Sequence, residues 1–250
     1  MRVAVIGAGL VAKTFHVPAF LACPGVEISA VYDRRLEKAE ALAAPLGAKA
    51  FTDYGELLRS GAADAVTICT RTDMHCSMAV QAAKAGKHIF LEKPMATSAA
   101  EAKEICEETE RAGVTFMLGM LNRFRTESLI LTERREAGLM GDIYHADARW
   151  IRRRGIPSNG WFVQKALSGG GAGIDIGVHA IVSAVTHSRL GDAGARGLSS
   201  WGTEAPAGRP MDVEEAAAAL IRFENGKSMT LTVSWAINGP EEDFNLKIYG

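Results

Sequence analysis

Short apolar runs alternate with amphipathic helical stretches up to about residue 120, and this alternation most restricts how the chain can fold. Several runs lack the polar alternation of a strand with one face in water, as expected for strands covered on both faces. Such strands separated by helices predict a parallel sheet with helices on both sides. The predicted strands are residues 3–6, 26–31, 65–69, 88–91 and 114–118, and the predicted helices are 36–46, 74–85 and 99–112.

The pattern changes after about residue 120. Residues 216–223 and 228–235 flank Asn225-Gly226, and this dipeptide between two apolar runs predicts a hairpin whose turn needs positive φ. This half therefore predicts a second domain with a largely antiparallel sheet. The remaining predictions are a helix over 122–138, strands over 141–154 and 244–249, and a surface loop over 191–211.

Composition narrows the possible functions. The formal net charge of −1 gives no bulk field that would attract nucleic acid or an anionic membrane. Four cysteines at irregular spacings, without a Cys-x-x-Cys pair, argue against a disulfide framework or a structural zinc site. No apolar run is long enough for a bilayer and no basic segment followed by an apolar one opens the chain, so we expect a cytoplasmic protein without a metal site.

A Gly-x-Gly-x-x-Ala sequence lies between the first predicted strand and a helical stretch. Gly7 permits the tight turn, Gly9 lets the backbone approach a pyrophosphate, and Ala12 allows close packing of helix on strand. The helix start, which includes Leu10 and Val11, offers backbone N–H groups to the phosphates. The pattern predicts a dinucleotide site, and a tight turn without a ligand is the alternative.

Asp33 ends the next predicted strand, 24 residues after Gly9, where a carboxylate accepts hydrogen bonds from the adenosine ribose. An ordinary strand-end or helix-capping aspartate is the alternative interpretation. Because a carboxylate repels a 2′-phosphate, Asp33 favours NAD. Arg34 and Arg35 follow at once and could bind that phosphate instead, which leaves NADP open.

Four segments of the chain resemble the Gfo/Idh/MocA oxidoreductases, the family that contains glucose-fructose oxidoreductase and inositol dehydrogenase. The combination of AGKHIFLEKP with Gly-Gly-Gly-x-x-x-Asp-x-Gly-x-His is specific to this resemblance, whereas the glycine loop alone is not. The segments follow the family's order and are VIGAGLVAKTFHVPAF, TICTRTDMHCSMAVQAAKAGKHIFLEKPMA, WFVQKALSGGGAGIDIGVHAI and SWAINGPEEDFNLKIYG.

The resemblance implies an α/β fold: an N-terminal Rossmann domain over residues 1–121, then an α+β domain with a largely antiparallel open sheet over 122–250. It implies oxidation of a secondary alcohol of a sugar or cyclitol, or reduction of the ketone, with NAD or NADP. The family's catalytic residues match Lys93, Asp175 and His179. Family members continue beyond KIYG, so we expect the second domain to be incomplete at its C-terminus; a short variant is the alternative.

The chemistry suits these three residue types. Alcohol oxidation removes a hydroxyl proton as hydride leaves the same carbon, and imidazole is the usual base, which makes His179 the candidate. Asp175, four residues earlier, would share a helix face with His179 and either orient it or contact the substrate. Lys93 can hydrogen-bond the reacting oxygen and stabilise developing negative charge. Taken singly, the three residues could instead be a structural histidine, a helix cap after three glycines and a solvated lysine.

The apolar run at 89–91 ends abruptly in Glu92-Lys93-Pro94. The carboxyl end of a parallel strand is where ligands bind, so this position suits the reactive ring of the cofactor. The family pattern implies that Glu92 contacts the nicotinamide ribose and that Lys93 belongs to the cofactor site as well as to the reacting oxygen. Pro94 would turn the chain away, through a cis peptide that aims the lysine.

Five further residues are weaker candidates. Thr70 and His75 follow a parallel strand at the ligand-binding edge, and His75 could either meet the cofactor or cap the next helix. Arg123 and Trp161 could line a substrate pocket, or be a positioning arginine and a core tryptophan. Lys165, near the glycine run, could reach the substrate.

The sequence departs from the family pattern at two positions. Arg71 stands where proline is common, which would change the cofactor loop or add a cation near the phosphates. Val182 stands where an aspartate often follows the histidine by three residues, so part of the polar support for His179 is absent.

Three functions remain in competition. The first is an NAD(P)-dependent dehydrogenase for CH–OH groups of a sugar or polyol, assembled as a homo-oligomer through the C-terminal sheet. The second is a glycosidase that uses tightly held NAD for transient oxidation and releases no net NADH. The third is a non-catalytic NAD(P)- and sugar-sensing regulator, against which the retention of Lys93, Asp175 and His179 argues.

Overall fold

The computed structural model describes residues 1–157, 160–188, 193–201, 211–237 and 242–250, and for 187–188 and 193–201 it gives the backbone alone. The chain forms two compact units, Met1–Gly119 and Met120–Gly250. Within the described residues, no helix combines the length and the apolar character that a bilayer crossing requires.

The first unit is a parallel sheet with helices on its faces. Its strands are β1 (Arg2–Ile6), β2 (Glu27–Tyr32), β3 (Lys49–Phe51), β4 (Ala65–Ile68), β5 (His88–Leu91) and β6 (Phe116–Leu118). Its helices are α1 (Val17–Ala22), α2 (Leu36–Ala43), α3 (Tyr54–Arg59), α4 (His75–Lys84) and α5 (Ala99–Ala112), with a π-helical turn at Ala12–His16. In the strand order β3-β2-β1-β4-β5-β6, successive strands are added toward one edge from β1 to β3 and toward the other edge from β4 to β6. This switch between β1 and β4 creates a ligand crevice at their carboxyl ends.

Burial explains why the apolar runs became strands. Ile6 and Val5 are both 0% exposed, and they belong to hydrophobic clusters on opposite faces of the sheet. Ser98 accepts a hydrogen bond from the backbone N–H of Glu101 at 3.3 Å, which confirms the predicted start of α5. The Glu101 carboxylate reaches back to the backbone N–H of Thr97 at 3.0 Å, one residue before the expected position.

The second unit is a mixed sheet covered by a helix. Its strands are β7 (His145–Ile151), β8 (Ala193–Trp201), β9 (Ala216–Phe223), β10 (Ser228–Ser234) and β11 (Asp243–Tyr249), in the order β11-β7-β10-β9-β8. Its helices are α6 (Thr126–Glu136), α7 (Lys165–Ser168) and α8 (Val178–Ser188), with a 3-10 turn at Leu121–Phe124 and a π-helical turn at Gly173–Gly177. Among the ladders between its described strands, only the β7–β10 pair is parallel. The predicted fold class is therefore confirmed: a parallel Rossmann sheet followed by a largely antiparallel one.

The predicted hairpin is confirmed and part of the predicted loop is wrong. β9 and β10 pair as an antiparallel hairpin, and Gly226 takes φ +84° at its turn. Residues 193–201, expected in a surface loop, form β8 at the sheet edge, with a register shift between Ala195 and Leu198. Their Gly, Ala and Ser content gives low intrinsic strand propensity, and pairing with β9 overrides it. The rest of that predicted loop before residue 211 lies outside the described residues.

Candidate active site

The glycine loop follows β1 and is shaped by the end of β4. Gly7 has φ +98°, and a Cβ at this position would lie 3.0 Å from the carbonyl oxygen of Cys69, so only glycine fits. A Cβ at Gly9 would meet nothing within 4 Å, so its backbone is open to a ligand. This is the cradle that a pyrophosphate requires.

Of the three residues after Gly9, the first two are exposed and the third is buried in the core. Leu10 is 71% exposed and Val11 is 37% exposed, whereas Ala12 is fully buried. The small side chain of Ala12 lies in the core on the α2 side of the sheet, with Val5 and Val31. Ala12 therefore packs the helix start against the sheet as the sequence predicts, and Leu10 and Val11 stay accessible.

Asp33, just after β2, is tied to the glycine loop. Its Oδ2 accepts a hydrogen bond from the backbone N–H of Ala8 at 3.1 Å, and its Oδ1 accepts one from the backbone N–H of Arg35 at 3.0 Å. Each carboxylate oxygen keeps a second lone pair that can accept from a ribose hydroxyl. The loop and this acid together fit an NAD molecule. Arg34 is exposed, and Arg35 lies 3.8 Å from the Glu37 carboxylate.

Thr70 and His75 belong to the segment between β4 and α4. Thr70 Oγ1 makes a weak contact with the sulfur of Met78 at 3.7 Å. His75 is 1% exposed, with Nδ1 at 2.8 Å from the Pro94 carbonyl and Nε2 at 3.2 Å from the Thr70 carbonyl. His75 is thus not a helix cap, because Met74 holds that position and both ring nitrogens face protein carbonyls. Instead, it joins the loop after β4 to the loop after β5. The contact with the cofactor stays a prediction.

Arg71, the first departure from the family pattern, pairs with an acid of its own loop. Its Nε and Nη2 donate to the two carboxylate oxygens of Asp73 at 3.1 and 2.8 Å. This two-bond pair engages the guanidinium fork within its own loop.

The Glu92-Lys93-Pro94 segment follows β5 directly. Glu92 Oε1 lies 2.7 Å from His16 Nε2, and Glu92 Oε2 accepts from the backbone N–H of Lys93 at 3.1 Å. Lys93 is half-buried and Pro94 is buried. The Lys93–Pro94 peptide is cis, as the sequence suggests. The segment therefore lies on the same sheet edge as the glycine loop and Asp33, because all strands of this sheet are parallel.

In the second unit, Asp175 and His179 lie in one continuous helical run formed by Gly173–Gly177 and α8. Asp175 is 8% exposed, and its Oδ2 accepts a hydrogen bond from the indole N–H of Trp235 at 2.9 Å. His179 is 6% exposed, and its ring lies 5.6 Å from the Trp150 ring, centroid to centroid. A buried carboxylate and a buried imidazole thus lie four residues apart in one helical run.

Glu214 shapes the turn that leads into Asp175. Its carboxylate accepts from the backbone N–H groups of Gly171 at 2.9 Å and Gly173 at 3.0 Å, and its carbonyl accepts from Ala172 N at 3.0 Å. A Cβ at Gly171 would lie 1.8 Å from the Glu214 carbonyl oxygen, which explains the glycine at this position. Asp175 is therefore not the cap of this turn, because Glu214 takes that role.

The weaker substrate-binding candidates all lie in the second unit. Arg123 is exposed in the 3-10 turn, and Trp161 is half-buried with its ring stacked at 3.8 Å on Phe162. Lys165 is exposed at the start of α7, where its backbone N–H donates to Asp212 Oδ1 at 2.6 Å. These placements leave their predicted contacts with substrate as predictions.

Sequence reasoning missed three residues that support the candidates: His16, Glu214 and Trp235. Each acts on a residue at least 41 positions away, so no local motif marks it. Among the described side chains, no group of three or more His, Cys, Asp or Glu residues is arranged to hold a metal ion.

Comparison with known proteins adds the family context. Residues 1–120 match the Gfo/Idh/MocA oxidoreductase family with the NAD-binding Rossmann fold, and residues 130–250 match the Gfo/Idh/MocA C-terminal domain. D-glucoside 3-dehydrogenase of Escherichia coli K12 is 32% identical over 97% of this chain and 72% of its own length.

Two solved structures extend the similarity to the whole described fold. GenD2 from gentamicin A biosynthesis, in complex with NAD, is 26% identical with a TM-score of 0.88, covering 100% of this chain and 70% of its own. KijD10, a 3-ketoreductase from Actinomadura kijaniata in complex with NADP and TDP-benzene, is 25% identical with a TM-score of 0.84, covering 100% of this chain and 74% of its own.

Proposed function

Since the chain belongs to the Gfo/Idh/MocA oxidoreductase family, we propose that it transfers hydride between NAD and a secondary alcohol or ketone of a sugar or cyclitol. One observation carries this proposal: the glycine loop, Asp33 and Lys93 follow β1, β2 and β5 at one edge of the parallel sheet. Bound NAD supplies the hydride acceptor or donor, and side chains of this chain supply the proton chemistry.

Lys93 hydrogen-bonds the reacting oxygen and stabilises the negative charge that develops on it. Its backbone N–H bond to Glu92 Oε2, at 3.1 Å, fixes the point from which the side chain extends. Glu92, whose carboxylate is held by His16, contacts the nicotinamide ribose. The two residues thus serve the cofactor and the substrate from adjacent positions.

His179 removes the hydroxyl proton in the oxidising direction and returns it in the reducing direction. Asp175 orients this imidazole or contacts the substrate, and Trp235 holds its carboxylate at 2.9 Å. Both residues are buried, so their interactions are little weakened by water. A base and an oriented acid in one helical run support proton transfer.

The cofactor preference is for NAD. Asp33 receives two backbone hydrogen bonds, which fix its carboxylate beside the glycine loop, where a 2′-phosphate would be repelled. Arg34, exposed next to it, is the residue through which NADP could be accepted.

The two halves divide the work. Residues 1–121 bind the cofactor, and residues 122–250 bind the substrate and hold the subunits together. Arg123, Trp161 and Lys165 line the substrate site through a guanidinium, an indole face and an ammonium group. Such groups recognise sugar hydroxyls and the apolar faces of sugar rings.

Subunits assemble through the face of the second sheet that lies opposite α8. That face carries polar pairs, such as Thr230 Oγ1 with Asp147 at 2.5 Å and Arg149 with Asp243 at 3.1 Å, and a 54% exposed Leu220. Sedimentation of the parent and of Leu220→Glu tests this assembly. A smaller particle for the variant supports it, and a parent that sediments as a monomer overturns it.

The protein works in the cytoplasm, where thiols stay reduced. Its four cysteines are all free, at Cys23, Cys69, Cys76 and Cys106. Burial raises the pKa of Cys69 to about 12, so this thiol is protonated and unreactive at neutral pH.

An absorbance screen for NADH formation or consumption with a library of sugars and polyols tests the activity. With a substrate in hand, Lys93→Met and His179→Asn should each lower turnover about 10²- to 10⁴-fold while NADH binding persists. Full activity in both variants would refute the assignment. Product without net NADH would indicate a glycosidase, and NADH binding with no turnover of any compound would indicate a sensor.

A further inference from the structure

Two buried histidines approach the Glu92–Pro94 segment from two helical segments. His16, in the π-helical turn after the glycine loop, places Nε2 at 2.7 Å from Glu92 Oε1. His75, the first residue of α4, places Nδ1 at 2.8 Å from the Pro94 carbonyl oxygen. We propose that His16 and His75 are positioning residues that hold the lysine-bearing segment from both sides; this rests on the proposed role of Lys93.

His16 is also hydrogen-bonded at its second ring nitrogen, and the second ring nitrogen of His75 faces another carbonyl. His16 Nδ1 lies 3.0 Å from the hydroxyl of Thr67, on β4, and His75 Nε2 lies 3.2 Å from the Thr70 carbonyl just beyond that strand. The His16 ring also meets the Phe90 ring edge-on at 5.4 Å. Both imidazoles are therefore fixed in position and orientation against the central strand of the sheet.

Burial makes these contacts costly to lose. His16 is 7% exposed and His75 is 1% exposed, so water cannot replace a lost partner at either ring. A buried polar group without a partner is costly; His16 has a hydrogen-bond partner at each nitrogen, and neutral His75 donates to one of the two carbonyls that it faces. Moving the Glu92–Pro94 segment would break at least one of these contacts.

The consequence falls on Lys93. Glu92 is fixed at Oε1 by His16 and at Oε2 by the backbone N–H of Lys93, and Pro94 is fixed at its carbonyl by His75. The backbone of the lysine is therefore held at both flanks. Displacing a reacting group by about 1 Å can cost about 100-fold in rate, so these contacts on both sides of Lys93 matter for chemistry as well as for folding.

The two histidines contact the segment through different ring nitrogens, so the same pair of substitutions should have opposite effects at the two positions. At position 16 the bond to the segment comes from Nε2, whose place a glutamine amide can take, whereas an asparagine amide reaches only the Nδ1 place. At position 75 the bond comes from Nδ1, so asparagine can replace it and glutamine cannot. A purely structural role would make both substitutions at each site costly in proportion to the packing lost.

We would compare His16→Gln, His16→Asn, His75→Asn and His75→Gln, with His88→Asn as the control because His88 is exposed at the start of β5. The readouts are NADH affinity by fluorescence, Tm, and kcat and KM on the substrate found by screening. We expect His16→Asn and His75→Gln to lower kcat about 10- to 100-fold with KM within about threefold. We expect His16→Gln and His75→Asn to stay within about threefold of the parent in kcat.

NADH affinity decides the question for His16 without any substrate, because Glu92 is the residue proposed to contact the nicotinamide ribose. His16→Asn should weaken NADH binding about tenfold, and His16→Gln should restore it. If the parent binds NADH but turns over no sugar, the proposed function fails while this comparison still stands. Equal losses in all four variants that track their Tm would overturn the positioning role of the two histidines. No loss in His16→Asn and His75→Gln would overturn it as well.

Discussion

The indole N–H of Trp235 donates a hydrogen bond to Asp175 Oδ2 at 2.9 Å, and neither side chain is open to water. Trp235 directly follows β10, and Asp175 lies in the turn before α8, 60 residues away in sequence. The bond fixes one carboxylate oxygen of the candidate catalytic acid. Its direction follows from chemistry, because an indole nitrogen can only donate.

Trp235→Phe should destabilise the chain, because it leaves the buried Asp175 carboxylate with one donor fewer. A hydrogen bond to a charged group contributes about 1.5–3 kcal/mol, so we expect a loss of that size in the free energy of unfolding, plus a packing loss. Urea unfolding of the parent, Trp235→Phe, Asp175→Asn and the double variant measures the coupling. Effects that add to within about 0.5 kcal/mol would show that the two side chains do not interact.

Gly171→Ala should be among the most damaging single changes in the second unit. Its Cβ would lie 1.8 Å from the backbone carbonyl oxygen of Glu214, and backbone cannot move aside as a side chain can. We expect a loss of about 3 kcal/mol or more in the free energy of unfolding. Gly177→Ala is the matched control, because its Cβ would meet Val233 at an ordinary 3.6 Å. Similar Tm values for the two variants would contradict this geometry.

The strands that could be predicted from sequence are those that burial makes uniformly apolar. All four residues of β4 are buried, and β1 is buried after its first residue, so their runs stand out. β3 spans only three residues and begins with an exposed Lys49, so it carries no such signal. β8 is held by pairing with β9 and not by its own composition, which is why its Gly- and Ala-rich sequence predicted a loop.

The candidate site also contains residues that could be predicted from sequence and residues that could not. Gly7, Asp33 and Lys93 were predictable because each follows a strand of a parallel sheet, and this topology gathers them at one edge. Glu214 was not predictable, because its carboxylate acts on a turn 41 to 43 residues away and nothing beside it in sequence indicates that contact. The two carbonyls that the His75 ring faces inside the fold were not predictable either, because they belong to the loops after β4 and β5 and no local pattern indicates them.

Asp33→Asn should shift the cofactor preference toward NADP. The change removes the charge that repels a 2′-phosphate and leaves one carbonyl oxygen for the two backbone donors that Asp33 now serves. We expect the ratio of NADPH to NADH dissociation constants to fall at least about tenfold, which corresponds to about 1.4 kcal/mol. Fluorescence titration with both nucleotides measures it.

Asp53→Asn is the control for the nucleotide titration. Asp53 caps α3 by accepting from the backbone N–H of Glu56 at 2.6 Å and takes no part in the glycine loop. Its substitution should leave the ratio of the two dissociation constants unchanged. A ratio that does not move in Asp33→Asn would contradict the role assigned to the Asp33 carboxylate.

His75 should make stability depend on pH in the acid range. Burial lowers the pKa of His75 from its ordinary value of 6.5, and this effect exceeds the opposing influence of the Pro94 and Thr70 carbonyls and of the Glu92 and Asp73 carboxylates. The unfolded chain therefore binds this proton more readily than the folded one. The stabilising contribution is complete above pH 6.5 and is lost as pH falls from there toward the lower folded-state pKa.

His75→Asn removes this titration while keeping an amide donor for the Pro94 carbonyl. The free energy of unfolding, measured in urea at intervals from about pH 8 to about pH 5, should fall less steeply on acidification in His75→Asn than in the parent. His88→Asn, at an exposed site, controls for the general effect of replacing a histidine by asparagine. Parallel curves for the parent and His75→Asn would mean that the buried ring takes up its proton as readily in the folded state as in the unfolded state. The ring that faces two carbonyls would then be an imidazolium that donates from both nitrogens.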